Sequence, residues 1–403
     1  MSGMLFLNHS SCKEVFMRTV IFSLCIAAGL LILGSCEQDY TNPVEPELQA
    51  VKIGSAESSG QLTVMTQNVY VGTDVDRILM ASPDSIPIVA AELFQMLQGT
   101  NFPERAEALA REIKKVKPHL IGLQEISEIR IEIPGDYFVN YQADADSMIY
   151  DYLDLMMQAL QDHNLDYKVA GIIRNADVEV PMLAGISEEG PIFADIRLTD
   201  FDVILARKDV IVSNLLAKNY DYGIDLPELG ISIPRGYVSI DAEVRGKTFR
   251  FVNTHLEDPA NNPDLLELQW AQAYELTAVL SQENKPVIVV GDFNSAAPDG
   301  PTYNFMLSEG YQDAWAFNRK VAEEPGFTFG HAPDLRNPAS EFYERIDYVF
   351  LRNGGQTIKG PVVAHVVGDK ARDRTINGLW PSDHGGVVVK FPTSPLYSES
   401  GLQ

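Results

Sequence analysis

Six segments of this chain set an acid, an amide or an imidazole at one end of an apolar, β-rich run. Asn68 closes "VMTQN", Glu125 closes "LIGLQE", His255 closes "FVNTH", and Asp292 with Asn294 closes "VIVVGDFN". Asp347 lies in "ERIDYVF", and Asp383 and His384 precede the last run in "PSDHGG". A carboxylate and a carboxamide at the exit of a strand buried on both faces are costly to desolvate unless a metal, an activated water or a turn uses them. Each segment alone has a plain structural explanation, since a strand-end Asn makes turns and a lone histidine is often satisfied in a core. Their recurrence along one chain points to a shared site.

In the order Asn, Glu, His, Asp-x-Asn, Asp, Asp-His, the set resembles the endonuclease/exonuclease/phosphatase superfamily, and the resemblance runs from Leu62 to Phe391 with "GDFN" and "SDH" as its most specific pieces. It implies a four-layer α/β sandwich, two mixed β-sheets packed face to face between helices, with the site at one end of the sheets. It also implies a hard divalent cation, Mg²⁺ with Mn²⁺ or Ca²⁺ as alternatives, which neutralises phosphoryl charge and acidifies water. By the same resemblance Glu125 binds the metal, Asn68 is a second ligand or a phosphate contact, and Asp383 is a metal or water ligand. Asp292 orients or deprotonates the attacking water, and Asn294 holds that water or the developing oxyanion. His384 contacts the scissile phosphate with Asp347 fixing its tautomer, while His255 protonates the leaving oxygen or binds phosphate. His119, in "KPHLIG", departs from the family pattern of an acid there and reads as structural; His331 is a candidate for the cleft. Arg372 and Arg374, in "GDKARDRT", could grip a second phosphate or sit in a solvated loop.

Strands and helices must hold these groups. Strand-like runs are "LTVMTQNV", "HLIGLQ", "DYKVAGII", "FDVILA", "YVSIDAEV", "TFRFVNTH", "VIVVGD", "RIDYVFL" and "GGVVVKF". Spacing predicts three helices: one from Pro103 with Ala106, Leu109, Ala110 and Ile113 on one face, one with Ile149, Leu153, Met156 and Leu160, and one with Ala273, Leu276 and Leu280. The alternation predicts an α/β layered architecture. From about Asp136 to Tyr237 the pattern turns irregular, and reads either as a β-hairpin insertion or as a substrate- or membrane-facing lip.

The leader is a different kind of segment. After Lys13 and Arg18, Thr19–Leu33 form an apolar run too short for a stable span and suited to a secretory signal. The ending "LGSC" resembles a bacterial lipobox, so residues 1–35 are expected to be a lipoprotein signal and Cys36 the lipidated residue, anchoring an exported protein to a bacterial membrane. Residues 36–60 read as a flexible tether, 61–393 as the endonuclease/exonuclease/phosphatase domain and 394–403 as a tail. All three cysteines, Cys12, Cys25 and Cys36, fall at or before the cleavage point. The remainder can build no thiolate metal site, which favours oxygen and imidazole ligands. The net charge is −25, and setting aside residues 1–35, whose Lys13, Arg18 and Glu14 carry +1, leaves −26. Such a surface repels polyanions at long range but not within a cationic or metal-bearing cleft.

The sequence therefore predicts a monomeric, divalent-metal-dependent phosphoesterase, a phosphodiesterase in preference to a monoesterase because His255 offers an acid for an alkoxide. The apolar insertion and acidity favour a lipid head group or small phosphoester as substrate. The rivals are an extracellular nuclease of the same fold and a surface binding protein that has lost catalysis.

Overall fold

The computed structural model describes residues 61–140, 142–226, 231–259, 262–318, 325–353 and 362–392. The expected signal, Cys36, tether and tail lie outside the described residues. Two mixed sheets pack face to face. Sheet A contains β1 (Gln61–Asn68), β2 (Leu120–Glu132), β3 (Ser147–Asp151), β4 (Tyr167–Ser187), β5 (Gly190–Arg207), β14 (Val363–Val367) and β15 (Gly386–Pro392), in the order β14-β15-β1-β2-β5-β4 with β3 also on β2. Sheet B contains β6 (Ile211–Asn219), β9 (Gly236–Val244), β10 (Lys247–His255), β11 (Val287–Asp292), β12 (Gln312–Asp313) and β13 (Asp347–Arg352), in the order β12-β13-β11-β10-β9-β6. A small hairpin pairs β7 (Ile224–Leu226) with β8 (Ile231–Ile233). Helices α1 (Ile86–Gly99), α2 (Phe102–Val116), α3 (Tyr152–Asp162), α4 (Pro263–Leu280) and α5 (Pro301–Ser308) cover the outer faces. The expected α/β sandwich is the observed one.

The layers follow from strand alternation. Along β11, Ile288 and Val290 face the core between the sheets, while Val287 and Val289 face α4 and α5. Along β15, Val387, Val389 and Phe391 face inward and Val388 meets the α2 side. Helix α2 begins at Phe102-Pro103 and buries Ala106, Leu109, Ala110 and Ile113, as its spacing predicts. Helix α4 is capped by Asn262, whose side chain accepts from Asp264 N–H at 3.0 Å, and buries Ala273, Leu276 and Leu280.

Three features depart from the sequence reading. Ile149 belongs to β3, not to the helix, because Asp151 caps α3 by accepting from Asp154 N–H at 2.9 Å and so ends the strand there. Helices α1 and α5 are additional. The irregular stretch is built around one long hairpin, β4 and β5, joined at Ser187–Gly190, with β3 and α3 before it and β6, β7 and β8 after it. At its tip Ile186 is exposed beside Glu188 and Glu189, a poor wedge for an anionic membrane. Among the described residues no helix is long and apolar enough to cross a membrane.

The inner layer changes character toward one end. Thr66 on β1, Gln124 on β2 and Asn253 on β10 form a buried polar rung between the sheets: Gln124 Nε2 donates to Thr66 Oγ1 (3.1 Å) and to Asn253 Oδ1 (2.6 Å). Asn253 Nδ2 donates in turn to the Leu123 and Val203 carbonyls of the opposite sheet, at 2.9 and 3.0 Å. Those carbonyls need a partner because the β2–β5 ladder slips between Leu123 and Ile126. Gly122 admits the amide, since a Cβ there would stand 2.5 Å from Asn253 Oδ1. Asn253→Ala should cost about 3 kcal/mol, because it leaves two buried carbonyls and one of the two Gln124 amide N–H groups without their partner, at roughly 1–3 kcal/mol for each group left wholly unpaired. Urea unfolding measures it, and a loss below about 1 kcal/mol would contradict the bridging role.

Candidate active site

One residue pair beyond the polar rung, the same inward parity delivers the predicted site. Asn68 follows Thr66 by two positions, His255 follows Asn253, Asp292 follows Val290, and Asp347 precedes Val349, so all four point between the sheets at one end. Register aligns them, with His255 opposite Asp292 on β10–β11 and Asp292 opposite Asp347 on β11–β13. Glu125 has the wrong parity and is redirected by the slip in β2, where it takes a left-handed φ of 60°.

The "GDFN" segment is now explicable residue by residue. Gly291 has φ 153°, and a Cβ there would meet the Thr254 carbonyl at 1.9 Å. Asp292 is buried; Phe293 turns outward into the aromatic cluster of Tyr348 and Phe350. Asn294, at φ 47°, donates its N–H to Asp292 Oδ1 at 2.9 Å.

Asp292 is the hub. Its Oδ2 lies 3.7 Å from Nε2 of both His255 and His384 and accepts from Asn68 Nδ2 at 3.1 Å. Asn68 Nδ2 also donates to Glu125 Oε1 at 2.8 Å, and Val71 N–H donates to Glu125 Oε2 at 2.7 Å. His384 Nδ1 meets Asp347 Oδ2 at 2.9 Å, and its Nε2 lies 4.0 Å from Asp383 Oδ1. Asn294 Nδ2 donates to the Leu256 carbonyl at 3.0 Å and lies 3.3 Å from His255 Nε2. Asn68, Glu125, His255, Asp292, Asn294, Asp347, Asp383 and His384 thus form one cluster.

Several expected residues are elsewhere. Arg374 lies over the Trp380 ring at 5.2 Å, and Arg372 sits in a 3-10 turn, Ala371–Asp373; among the described residues neither has a hydrogen bond to the cluster. His331 is stacked between Phe342 and Trp380, a packed position. His119 accepts from Thr63 N–H at 3.1 Å and is structural.

Two arginines escaped the sequence reading. Arg235 NH1 faces His255 Nδ1 at 3.2 Å, and its guanidinium meets Glu257 at 3.4 Å. Arg105, fully buried, donates to the carbonyls of Val69, Tyr70, Thr100 and Pro381, tying the loop after β1 to the segment that carries Asp383 and His384. No local pattern marks either one, because their partners are remote backbone and side chains.

Charge states follow from burial and crowding. Burial, with Asp347 adding repulsion, pushes the Asp292 carboxyl up to about 8. Burial outweighs the pull of His384 and lifts Asp383 to about 7. Burial would discharge His384, yet Asp347, Asp292 and Asp383 hold its pKa well above the usual imidazole value. Burial and the Arg235 guanidinium hold His255 well below that value, and His384 adds to the effect. His255 is therefore neutral at pH 7 in the cation-free site. The Arg235 guanidinium and the Asn294 amide both turn donors toward the His255 ring, at Nδ1 and Nε2 respectively, and the neutral ring accepts from one of them.

The donor set fits a hard divalent cation. It is rich in carboxylate oxygen, Asp347 Oδ1 is buried with no partner, and atoms of Asp292, Asp347 and the proton-bearing His384 lie within 4.8 Å of one another, a crowd of acids whose charge a dication beside them would offset. Crowded acids with raised pKa values make the cation-free fold less stable as pH rises, because the folded state holds protons that the unfolded chain has released. The His384 contribution has the same sign, being lost as pH rises through its folded pKa; the depressed His255 opposes only below about 6.5. In EDTA, stability should fall between pH 6.5 and 8.5 by on the order of 1 kcal/mol per pH unit, and saturating Mg²⁺ should flatten the slope. Thermal melts across that range check this, and a slope unchanged by Mg²⁺ would contradict it.

The model of the endonuclease/exonuclease/phosphatase family matches residues 65–384. Among solved structures the chain is similar to an endonuclease/exonuclease/phosphatase family protein from Bacteroides thetaiotaomicron, at 17% identity over 82% of this chain and 94% of that one, TM-score 0.49. It is similar to a mannosyl-6-phosphatase from the same organism, at 17% identity over 81% and 98%, TM-score 0.48. It is also similar to truncated TDP2 from Caenorhabditis elegans, at 17% identity over 82% and 98%, TM-score 0.45. No curated protein matches the sequence. With strand-end acids and imidazoles converging on one cation-binding centre, this is a metal-dependent phosphoric ester hydrolase, and the chain belongs to the endonuclease/exonuclease/phosphatase family.

Proposed function

We propose that the enzyme hydrolyses phosphodiesters of nucleotide-bearing substrates, a nuclease-type activity, and that phospholipid head groups are the second reading. What carries the chemistry is Asp292, set 3.7 Å from two imidazoles in opposite charge states. A carboxylate with a pKa near neutrality is suited to take a proton from water as that oxygen attacks phosphorus. Cationic His384 is placed to give the leaving oxygen its proton, while Asp347 holds the ring. Neutral His255 lines the phosphoryl position between two donors, the Asn294 amide at Nε2 and the Arg235 guanidinium at Nδ1. Asn68 spends its amide N–H groups on Glu125 and Asp292, so it acts as a bridge between them. A divalent cation held by Glu125 and Asp383 would neutralise phosphoryl charge and lower the pKa of water.

The nucleotide preference rests on the rim. Tyr343 is 57% exposed; its ring is edge-on to Phe329, whose ring centroid lies 4.8 Å from that of His384. An exposed ring there is a platform on which an unpaired base can stack. Arg372 and Arg374, if they assist, would do so only with longer substrates. Export and anchoring through lipidated Cys36, with a monomeric chain on a tether, complete the proposal. Radioactive palmitate should label the wild type and not Cys36→Ser.

The test compares a single-stranded oligonucleotide, sphingomyelin vesicles and a sugar monophosphate. The oligonucleotide should be cleaved fastest, and EDTA should abolish turnover. Asp292→Asn and His384→Gln should each lower kcat by about 10³-fold. Tyr343→Ala should raise KM for the oligonucleotide alone. Faster vesicle hydrolysis would favour the lipid reading, and phosphoester binding without turnover would favour the inactive binding protein.

A further inference from the structure

A second acidic cluster stands at the far end of β2, where the long hairpin leaves the sheet. Glu132 ends β2 directly opposite Asp195 on β5, and Glu179 on β4 lies two positions from Pro181, the residue paired with Asp195. Asp136 and Asp144 come from the segment after β2. Ligand oxygens of Glu132, Asp144 and Glu179 lie within 4.8 Å of one another, and so do those of Glu132, Asp136 and Asp195. Like charges facing each other on adjacent strands repel, so this arrangement needs a compensating partner.

The hydrogen bonding indicates what is missing. Glu179 and Asp195 are only 2% and 1% exposed. Each spends one oxygen on backbone: Ala145 N–H donates to Glu179 Oε2 at 2.8 Å, and Asp136 and Tyr137 N–H donate to Asp195 Oδ2 at 2.5 and 2.8 Å. The other oxygen of each, Glu179 Oε1 and Asp195 Oδ1, is buried with no hydrogen-bond partner, and Glu132 Oε2 is too. A nearby cation, Arg197, stands opposite Glu179 but forms a two-pronged pair with Asp177, both contacts at 2.7 Å. Orphaned carboxylate oxygens buried in two adjoining triads that share Glu132 are costly unless a cation or protons sit among them.

We propose that this cluster holds a structural divalent cation of the Ca²⁺ type, in which Glu132 and Glu179 supply buried oxygens and Asp144 an outer one, with Asp136 and Asp195 adjoining through the shared Glu132. The ligands are all carboxylates, Asp144 among them on the connection after β2, which suits the larger and more adaptable coordination of Ca²⁺ better than the strict octahedron of Mg²⁺. The ion would fasten the segment after β2 to the root of the hairpin. Glu132 is seven residues along β2 from Glu125, roughly 20 Å at strand rise, so the site is separate from the catalytic centre. Burial pushes the Glu179 carboxyl up to about 7, with Asp195 and Asp144 opposing the pull of the Ala145 amide, so proton sharing is the competing solution.

Equilibrium dialysis of radioactive Ca²⁺ against the full chain, paired with thermal melts, separates the two. The wild type should bind a Ca²⁺ ion that raises Tm by several degrees, and Glu125→Gln should retain it. Glu179→Gln should weaken that binding at least ten-fold and abolish the Tm response, while kcat at saturating Mg²⁺ is unchanged. Should Glu179→Gln fail to fold, exposed Asp144→Asn should weaken binding several-fold. Ca²⁺ binding that survives both substitutions would overturn the proposal, as would a wild type that gains no stability from Ca²⁺ while Glu179→Gln melts higher in EDTA.

Discussion

The constraint on which this molecule depends is the desolvation of several carboxylates at one end of the layer between two sheets. Asp292 and Asp347 are buried neighbours on adjacent strands, with Asp383 and Glu125 within electrostatic reach. Such a group is tolerable only with compensating positive charge, and the cationic His384 supplies part of it. The fold accepts the remaining strain in return for a centre that attracts a hard cation and, through it, a phosphoryl group.

How the sheets create that centre is a matter of parity. Apolar residues fill the inner layer along most of each strand, an amide rung at Thr66, Gln124 and Asn253 follows, and the reactive groups come one position-pair later. The gradient keeps water out of the core while letting polar groups at the mouth reach it. The β2 slip does two things at once: it turns Glu125 into the site and frees the carbonyls that Asn253 holds across the sheets. Arg105 has a comparable role for loops, since four carbonyls from three separate segments converge on one buried guanidinium.

Much of this was legible in the sequence. Short β-branched runs bounded by turn formers marked the strands, and acids, amides and imidazoles at their ends marked the site. What stayed hidden depended on long-range contacts. Nothing local tells that Glu125 sits in a bulge, that Arg235 faces His255, or that Arg374 spends its guanidinium on Trp380. The depressed pKa of His255 was hidden for the same reason, because it follows from burial and then from a cation on a different strand connection. Ile149 was drawn into a helix by apolar spacing that runs across the β3–α3 junction, where only the Asp151 cap marks the boundary. The acidic cluster at Glu132, Glu179 and Asp195 has no signature either, since its members are far apart in the chain and meet through sheet register.

The central claim is that the strand ends meet around one catalytic cation. Anomalous diffraction from crystals soaked in Mn²⁺ and a non-hydrolysable phosphodiester tests it most directly. The account predicts a Mn²⁺ peak bonded to a Glu125 oxygen at about 2.1 Å, with a phosphoryl oxygen on the ion and phosphorus between Asp292 and His384. A saturating soak with no peak at Glu125, or a phosphoryl group bound away from Asp292 and His384, would contradict it.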